Sequence, residues 1–313
     1  MILLKGENIK MPQPCVLAMG KFESIHLGHR ALINDIVTLA KLEGLASALM
    51  AFEPHPYRIL SNPGYKPLYT SLERACLVGG LGVDYLLEYP FSTELAALSP
   101  LKFSTILFEK LNAKAIVVGD GYRFGCNRSG TINNLREVAS KYNAHVYVIH
   151  PQKSDETEKT STSTIRTLLS EGKFCKANAL LGKPFFVMGE TAKGRQLGRT
   201  IGFPTLNIYP GDEKYLPADG VYATNVTIES DAGVLVHKGI TNIGFRPTVA
   251  AKGEARSVET HLLDYTGGKG DMYGRQIEVE FLRFIRPEMK FESLEALKAQ
   301  ISRDCEQALV YSV

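Results

Sequence analysis

Up to about residue 150, short apolar runs alternate with stretches whose apolar positions recur every three or four residues. Pro14 to Met19, Ala46 to Phe52, Val83 to Glu88, Ala113 to Val118 and His145 to Ile149 read as strands, whereas Arg30 to Leu42 puts Ile33, Ile36, Val37 and Ala40 on one helical face. Further helices are predicted from Ser71, as a cap with Arg74 in the first turn, over Leu101 to Leu111, and from about Thr131. Alternation of this kind predicts a parallel sheet covered by helices on both faces. Ligands of such sheets lie at the carboxyl ends of strands, where the loops GKFESIHLGH (20–29) and GDGYRFGCNRSG (119–130) both fall.

Beyond about residue 183 the period changes. Val221 to Ile228, Val234 to Ile240, Ser257 to Leu263 and Gln276 to Phe284 alternate or run apolar between turn residues, which predicts a small antiparallel barrel. One amphipathic helix closes the chain, with Ser293 near its start and Leu294, Leu297, Ile301 and Leu309 expected toward the core. Between the halves lies the polar stretch PQKSDETEKTSTS (151–163), expected to be mobile, which runs into a helical segment from Thr164 to about Gly182. The pattern therefore predicts two domains, 1–182 and 183–313, each long enough to bury its own core.

Composition narrows the possibilities. Of the 313 residues, 44% are hydrophobic and 22% charged, which excludes a disordered chain. A formal charge of +3 argues for neither a nucleic-acid nor a membrane partner, and leaves acidic small substrates open. No apolar run reaches the length of a membrane span, and the apolar part of the N-terminal stretch is too short for a signal peptide. The five cysteines, 15, 76, 126, 175 and 305, form no CxxC pair and read as reduced thiols of a cytoplasmic protein.

Three clusters carry candidate chemistry. His26 and His29 would lie side by side at a helix start, where free N–H groups and the dipole favour anions. Two imidazoles there can donate to a triphosphate as its α-phosphorus is attacked. A metal site drawing in His55 and a histidine pair without a role are the alternatives, and zinc-ligand spacing is absent. The second cluster spans Gly189 to Asn207: Gly189, Gly194, Gly198 and Gly202 let backbone approach phosphates, and Lys193, Arg195 and Arg199 bring positive charge. Thr205 and Asn207, two apart on an extended segment, share a side and could hold Mg²⁺ with its phosphates. A mobile glycine-rich hairpin is the plainer alternative. In the third cluster Glu259 and His261 share one strand face, opposite Val258, Thr260 and Leu262. Glu259 is expected to face into the barrel, where an unpaired carboxylate is costly, and to act as general base toward a hydroxyl attacking a γ-phosphate. An ordinary surface salt bridge is the alternative.

Together these stretches resemble the bacterial bifunctional riboflavin kinase/FMN adenylyltransferase (FAD synthetase) family. GKFESIHLGH, FEPHP, VVGDGYRFGCNRSG and STSTIRTLLSEG carry the likeness in the first half; GRTIGFPTLNI, GVYA, NIGFRPT, VETHLLD and the tail from GDMYGRQIEVEF carry it in the second. The resemblance implies an α/β Rossmann-like nucleotidyltransferase domain, then a six-stranded antiparallel riboflavin kinase barrel with a C-terminal helix. It implies ATP as co-substrate with Mg²⁺, and riboflavin, FMN, FAD and ADP as the other partners. By the same resemblance Gly20, Lys21, Phe22, Gly28, Ser161, Ser163 and Arg166 join His26 and His29 at the first site. Gly189, Lys193, Gly194, Gly198 and Arg199 join the second site, where Thr205 and Asn207 hold Mg·ATP, Glu259 is the base and Arg286 borders the flavin.

The chain departs from the family pattern at Glu23 and Ser24, where F-D-G is usual, and at Gly121, where Asp or Asn is usual. The expectation is therefore kinase activity in the second domain, and a first domain that binds ATP phosphates but forms FAD weakly or not at all. A flavin- or nucleotide-binding regulatory protein with a silent first domain is the alternative.

Overall fold

The computed structural model describes residues 1–149, 160–194, 197–230, 233–247, 254–265 and 272–311. Most of the polar stretch after residue 150, and Arg195, lie outside the described residues. The chain forms two compact units, Met1–Thr160 and Ser161–Val313.

In the first unit, β1 (Ile2–Lys5), β2 (Cys15–Met19), β3 (Ala46–Glu53), β4 (Tyr85–Pro90), β5 (Ala113–Gly119) and β6 (His145–Ile149) form a parallel sheet in the order β1-β4-β3-β2-β5-β6. Strand β1 carries no sequence signal; it is a four-residue edge strand, ILLK, with both ends exposed. From β2 the chain steps leftward to β3 and β4, then crosses back to β5 and rightward to β6. Right-handed crossovers therefore put the helices Leu27–Glu43 and Ser71–Gly79 on one face, and Pro100–Thr105 and Ile132–Lys141 on the other. One core layer joins Cys15, Leu17, Met19, Met50, Leu87 and Val118 to Phe103, Leu107, Leu135 and Val138. The winding reverses between β2 and β5, so the crevice for a ligand opens at their carboxyl ends.

Two local expectations change. The helix at 71 is capped by Thr70 in a reciprocal box with Glu73, which leaves Ser71 as its first residue. Arg74 is buried and ion-paired with Glu88 and Glu53. The helix expected over 101–111 is α-helical only through Thr105, and Ile106–Lys110 continues as a π-turn.

In the second unit, β7 (Phe185–Glu190), β8 (Thr205–Ile208), β9 (Gly220–Ser230), β10 (Gly233–Pro247), β11 (Glu254–Leu262) and β12 (Gln276–Arg286) make an antiparallel sheet in the order β7-β12-β9-β10-β11-β8. Its edges meet where the Ala192 N–H donates to Asn207 O at 2.8 Å, giving a half-closed barrel. Inside, Thr224, Thr241 and Thr260 form a buried hydroxyl ladder, each step 2.8 Å, that locks the register of β9, β10 and β11.

The helical segment expected from Thr164 to Gly182 is two helices, Thr162–Ser170 and Phe174–Leu181, broken at Gly172. Both belong to the second unit. Phe174 meets Tyr222 and Phe281 edge and tilt, and Asn178 donates to Phe281 O while accepting from the Phe185 N–H.

The closing helix, Leu294–Tyr311, buries Asp304 and Ala308; Leu294 and Leu309 are exposed, contrary to expectation. Leu297 and Ile301 instead line a cleft, because the stripe that docks the helix is Cys305, Ala308 and Tyr311 on Val221, Ala223 and Ile240, with Asp304 paired to Arg286 beside it.

Candidate active sites

Strands β8 and β11 pair so that Asn207 stands opposite Glu259 and Thr205 opposite His261. Directly opposed residues point to the same face, so all four project together. That face borders a cavity of ≈ 610 Å³ whose lining includes Thr205, Glu259, His261, Asn242, Arg286 and Glu288. Glu259 does not point into the barrel. Val258, Thr260 and Leu262 fill the interior, and Glu259 is half-buried on the outer face, in a cleft that Leu297 and Ile301 of the closing helix also line. An ionised carboxylate there keeps part of its hydration, and it accepts from the Ser257 hydroxyl at 3.3 Å.

The glycine-rich segment folds back over this face. A Cβ at Gly194 would lie 2.6 Å from Asn207 Nδ2, so only glycine lets the backbone cover that amide. Gly189 lies in β7, and Gly198 and Arg199 lie in the short helix Leu197–Thr200, with Gly198 on the cavity wall. Lys193 is exposed, its ammonium 5.8 Å from the Tyr273 ring. His261 donates from Nδ1 to Pro204 O at 2.9 Å, which steadies the turn before Thr205. Arg286 reaches the cavity wall with its guanidinium engaged by Asp304 at 2.7 Å. Asn242, Glu288 and Asp304 escape the sequence reading. Asn242 and Glu288 sit within NIGFRPT and IRPE and were findable by register, since Asn242 opposes Glu259 and donates to Glu288 at 3.3 Å. Asp304 has no local signal.

In the first unit, β2 ends at Met19 and the loop 20–26 delivers His26 as N-cap of the helix Leu27–Glu43. His26 Nδ1 accepts from the His29 N–H at 3.3 Å, so the ring proton sits on Nε2, available as a donor. The two rings stack with centroids 3.9 Å apart. Phe22 is fully buried against His29, Gly20 donates to Met50 O, and Lys21 and Gly28 are exposed. Among the described residues no cluster of three metal-ligating side chains forms, and His55 Nε2 lies 3.5 Å from the Glu23 carboxylate. Ser161 caps the helix Thr162–Ser170, Ser163 is exposed, and Arg166 lies over the Tyr215 ring. All three belong to the second compact unit, whereas the histidine pair belongs to the first.

Burial pushes His29 down to about 3, with the charge of His26 adding to it, and burial lowers His26 as well. Both rings are neutral near pH 7. Because the folded pKa of His29 lies below its ordinary 6.5, the unfolded chain binds more protons between those values. Stability from this group is full above about pH 6.5 and is lost as pH falls toward 3. The NMR shifts of the His29 ring should stay flat from pH 7 to 5, and His29→Asn should flatten the acid limb of the unfolding profile.

The three departures from the family pattern fall differently in the structure. Ser24 is not at positive φ, so no turn glycine is missed there; the left-handed positions are its neighbours Phe22 and Ile25. Gly121 has φ 73°, which glycine adopts without cost. Glu23 is buried, and its carboxylate accepts from Tyr65 and from the Leu68 N–H.

A parallel α/β unit with a histidine pair at its switch point is thus followed in the chain by a half-barrel that pairs Thr205 and Asn207 with His261 and Glu259. Residues 8–164 match the FAD synthetase family model and residues 181–312 the riboflavin kinase model. The Escherichia coli (strain K12) bifunctional riboflavin kinase/FMN adenylyltransferase is 37% identical over 93% of this chain and 90% of its own. That of Bacillus subtilis (strain 168) is 33% identical over 99% and 95%. A crystal structure from Streptococcus pneumoniae, described as a macrolide-efflux protein, superposes over the whole of both chains with a TM-score of 0.84 and 29% identity. Among the described residues of this chain no helix is long and apolar enough to cross a membrane. The chain belongs to the bifunctional riboflavin kinase/FMN adenylyltransferase family.

Proposed function

We propose that the second unit transfers the γ-phosphoryl group of ATP to the ribityl hydroxyl of riboflavin, and that the first adenylylates the FMN so formed to FAD. The observation that carries the kinase reading is the register of β8 on β11, which sets Thr205, Asn207 and Glu259 on one strand face, with Thr205 and Glu259 lining the cavity there. Glu259 takes the hydroxyl proton as the new P–O bond forms and the bond to the β-phosphate breaks, releasing ADP. Val221, Ile240, Phe291, Leu297 and Ile301 give the cleft apolar walls suited to a flavin ring. A purely regulatory flavin-binding protein would have no use for an aligned base.

The Thr205 hydroxyl, on the cavity wall, and the Asn207 amide oxygen, buried beside Gly194, are of the oxygen-donor kind Mg²⁺ prefers. When bound there, the ion would neutralise phosphate charge. Thr205→Ala should therefore raise the Mg²⁺ and ATP concentrations needed for half-maximal FMN formation by about tenfold, with Thr205→Ser much milder. Equal effects from both substitutions would mean that the methyl packs and the hydroxyl does nothing.

In the first unit the neutral His26 donates from Nε2 to the ATP phosphates as a phosphate oxygen of FMN attacks the α-phosphorus and pyrophosphate leaves. The expectation of slow FAD formation now rests on Glu23 and on the polar side chain that Gly121 lacks, since the backbone at Ser24 asks for no glycine. The five free thiols accord with a cytoplasmic setting. Incubation of the full chain with riboflavin, ATP and Mg²⁺, followed by chromatographic separation of flavins, tests the proposal. FMN should appear first, with FAD following at its expense; no FMN would defeat the kinase reading, and FMN without FAD the second activity.

A further inference from the structure

The loop 20–26 and the loop that follows β3 lie side by side at the carboxyl ends of neighbouring strands. A single buried carboxylate joins them. Glu23, 3% exposed, accepts from the Tyr65 hydroxyl at 2.5 Å through Oε2 and from the Leu68 N–H at 3.2 Å through Oε1. His55 Nε2 lies 3.5 Å from the same Oε2. Because His55 Nδ1 accepts from the Tyr57 N–H, its ring proton sits on Nε2, the nitrogen that approaches the carboxylate. The His55 ring also stacks on Tyr65, with centroids 4.8 Å apart.

On either side of Glu23 and Ser24 the backbone is strained. Phe22 has φ 41° and Ile25 φ 43°, and both are buried. A bulky or β-branched residue in the left-handed region costs on the order of 1–3 kcal/mol and persists only where its surroundings dictate it. Those surroundings are the buried rings and the grip on Glu23. The strained turn leads straight into His26, the N-cap, and so into the stacked histidine pair.

We infer that Glu23 is a positioning residue for adenylyl transfer: it clamps the loop after β3 onto the 20–26 turn and thereby fixes where His26 and His29 present their rings. This rests on the adenylyltransferase reading above. It reverses the expectation attached to this position, because the longer carboxylate is matched to its partners here. Glu23→Asp, which supplies the family's usual residue, withdraws the carboxylate by about 1.5 Å, the length of one C–C bond. The contacts to Tyr65 and Leu68 cannot both survive that withdrawal, and misplacement of this size can cost about a hundredfold in rate.

The test uses the full chain and follows FAD formation from FMN and ATP in wild type, Glu23→Asp, Tyr65→Phe and the double variant, with amide exchange measured across 20–29. Tyr65→Phe keeps the ring stack and removes one hydroxyl, so it retains the fold should Glu23→Asp lose it. The clamp requires kcat to fall at least about tenfold in each single variant with the KM for ATP changed less than about threefold. It also requires a double variant no slower than the slower single one, and faster exchange in 20–29. FAD formation by Glu23→Asp as fast as wild type, or faster, overturns it. If wild type forms no FAD, the adenylyltransferase reading fails separately, and exchange decides the clamp: faster exchange in Tyr65→Phe supports it, and unchanged exchange in both single variants overturns it.

Discussion

Glu259→Gln should lower riboflavin phosphorylation by on the order of a hundredfold or more while leaving ATP binding nearly unchanged. The substitution keeps the shape, and the amide can still accept from Ser257, so β11 should hold its register between β8 and β10. What is lost is a proton acceptor at the one carboxylate aligned with Thr205 and Asn207. Glu288, the other carboxylate near Asn242, is held by that amide and opposes no Mg²⁺-type donor. Initial rates of FMN formation, with nucleotide affinity measured by calorimetry, check this. Near-normal turnover in the variant would move the base elsewhere, with Glu288 the first alternative.

A fragment starting at residue 183 should be severely destabilised, and one starting at 161 should not. The riboflavin kinase family model begins at 181, close to the boundary expected from the sequence, yet the packing begins at Ser161. Cutting at 183 removes Ile165, Leu169, Phe174, Ala177 and Leu181, all nearly or fully buried, and opens Tyr222 and Phe281 to water. It also strips Asn178 from the Phe185 N–H and the Phe281 carbonyl. At roughly 1.5–3 kcal/mol for each of the four large side chains, the apolar burial lost is on the order of 6–12 kcal/mol, offset in part by the entropy no longer needed to order the helices, and comparable with the net stability of an ordinary domain. Urea unfolding of the two fragments decides it. Equal midpoints would show that the two helices are ornaments on a self-sufficient barrel.

The parallel sheet was legible because its buried strands are unbroken apolar runs and the helix at 27–43 shows a clean stripe. The segment 162–181 was legible as helical but not as part of the barrel unit, since helical periodicity says which face is apolar and nothing about what it meets. Glu259 was recognisable on its strand face, yet its direction was misread. Which face of a half-closed barrel is the interior depends on the hydroxyl ladder of Thr224, Thr241 and Thr260, a set scattered over three strands. The closing helix misled for a related reason: it docks through the small stripe Cys305, Ala308 and Tyr311 and the ion pair between Asp304 and Arg286, while the more conspicuous leucines at 294 and 309 face water. Glu23 looked like a defect when judged against a pattern, and its partners Tyr65 and Leu68 lie more than forty residues away in sequence.

The central claim is that the aligned face of the second unit is a complete phosphoryl-transfer site. Its most direct test is to incubate residues 161–313 with riboflavin, Mg²⁺ and ATP labelled at the γ-phosphate, and to ask where the label goes. The account predicts label in FMN, dependent on riboflavin and abolished by Glu259→Gln. A folded fragment that binds ATP yet yields no labelled FMN, or that labels it equally well with glutamine at 259, would contradict it.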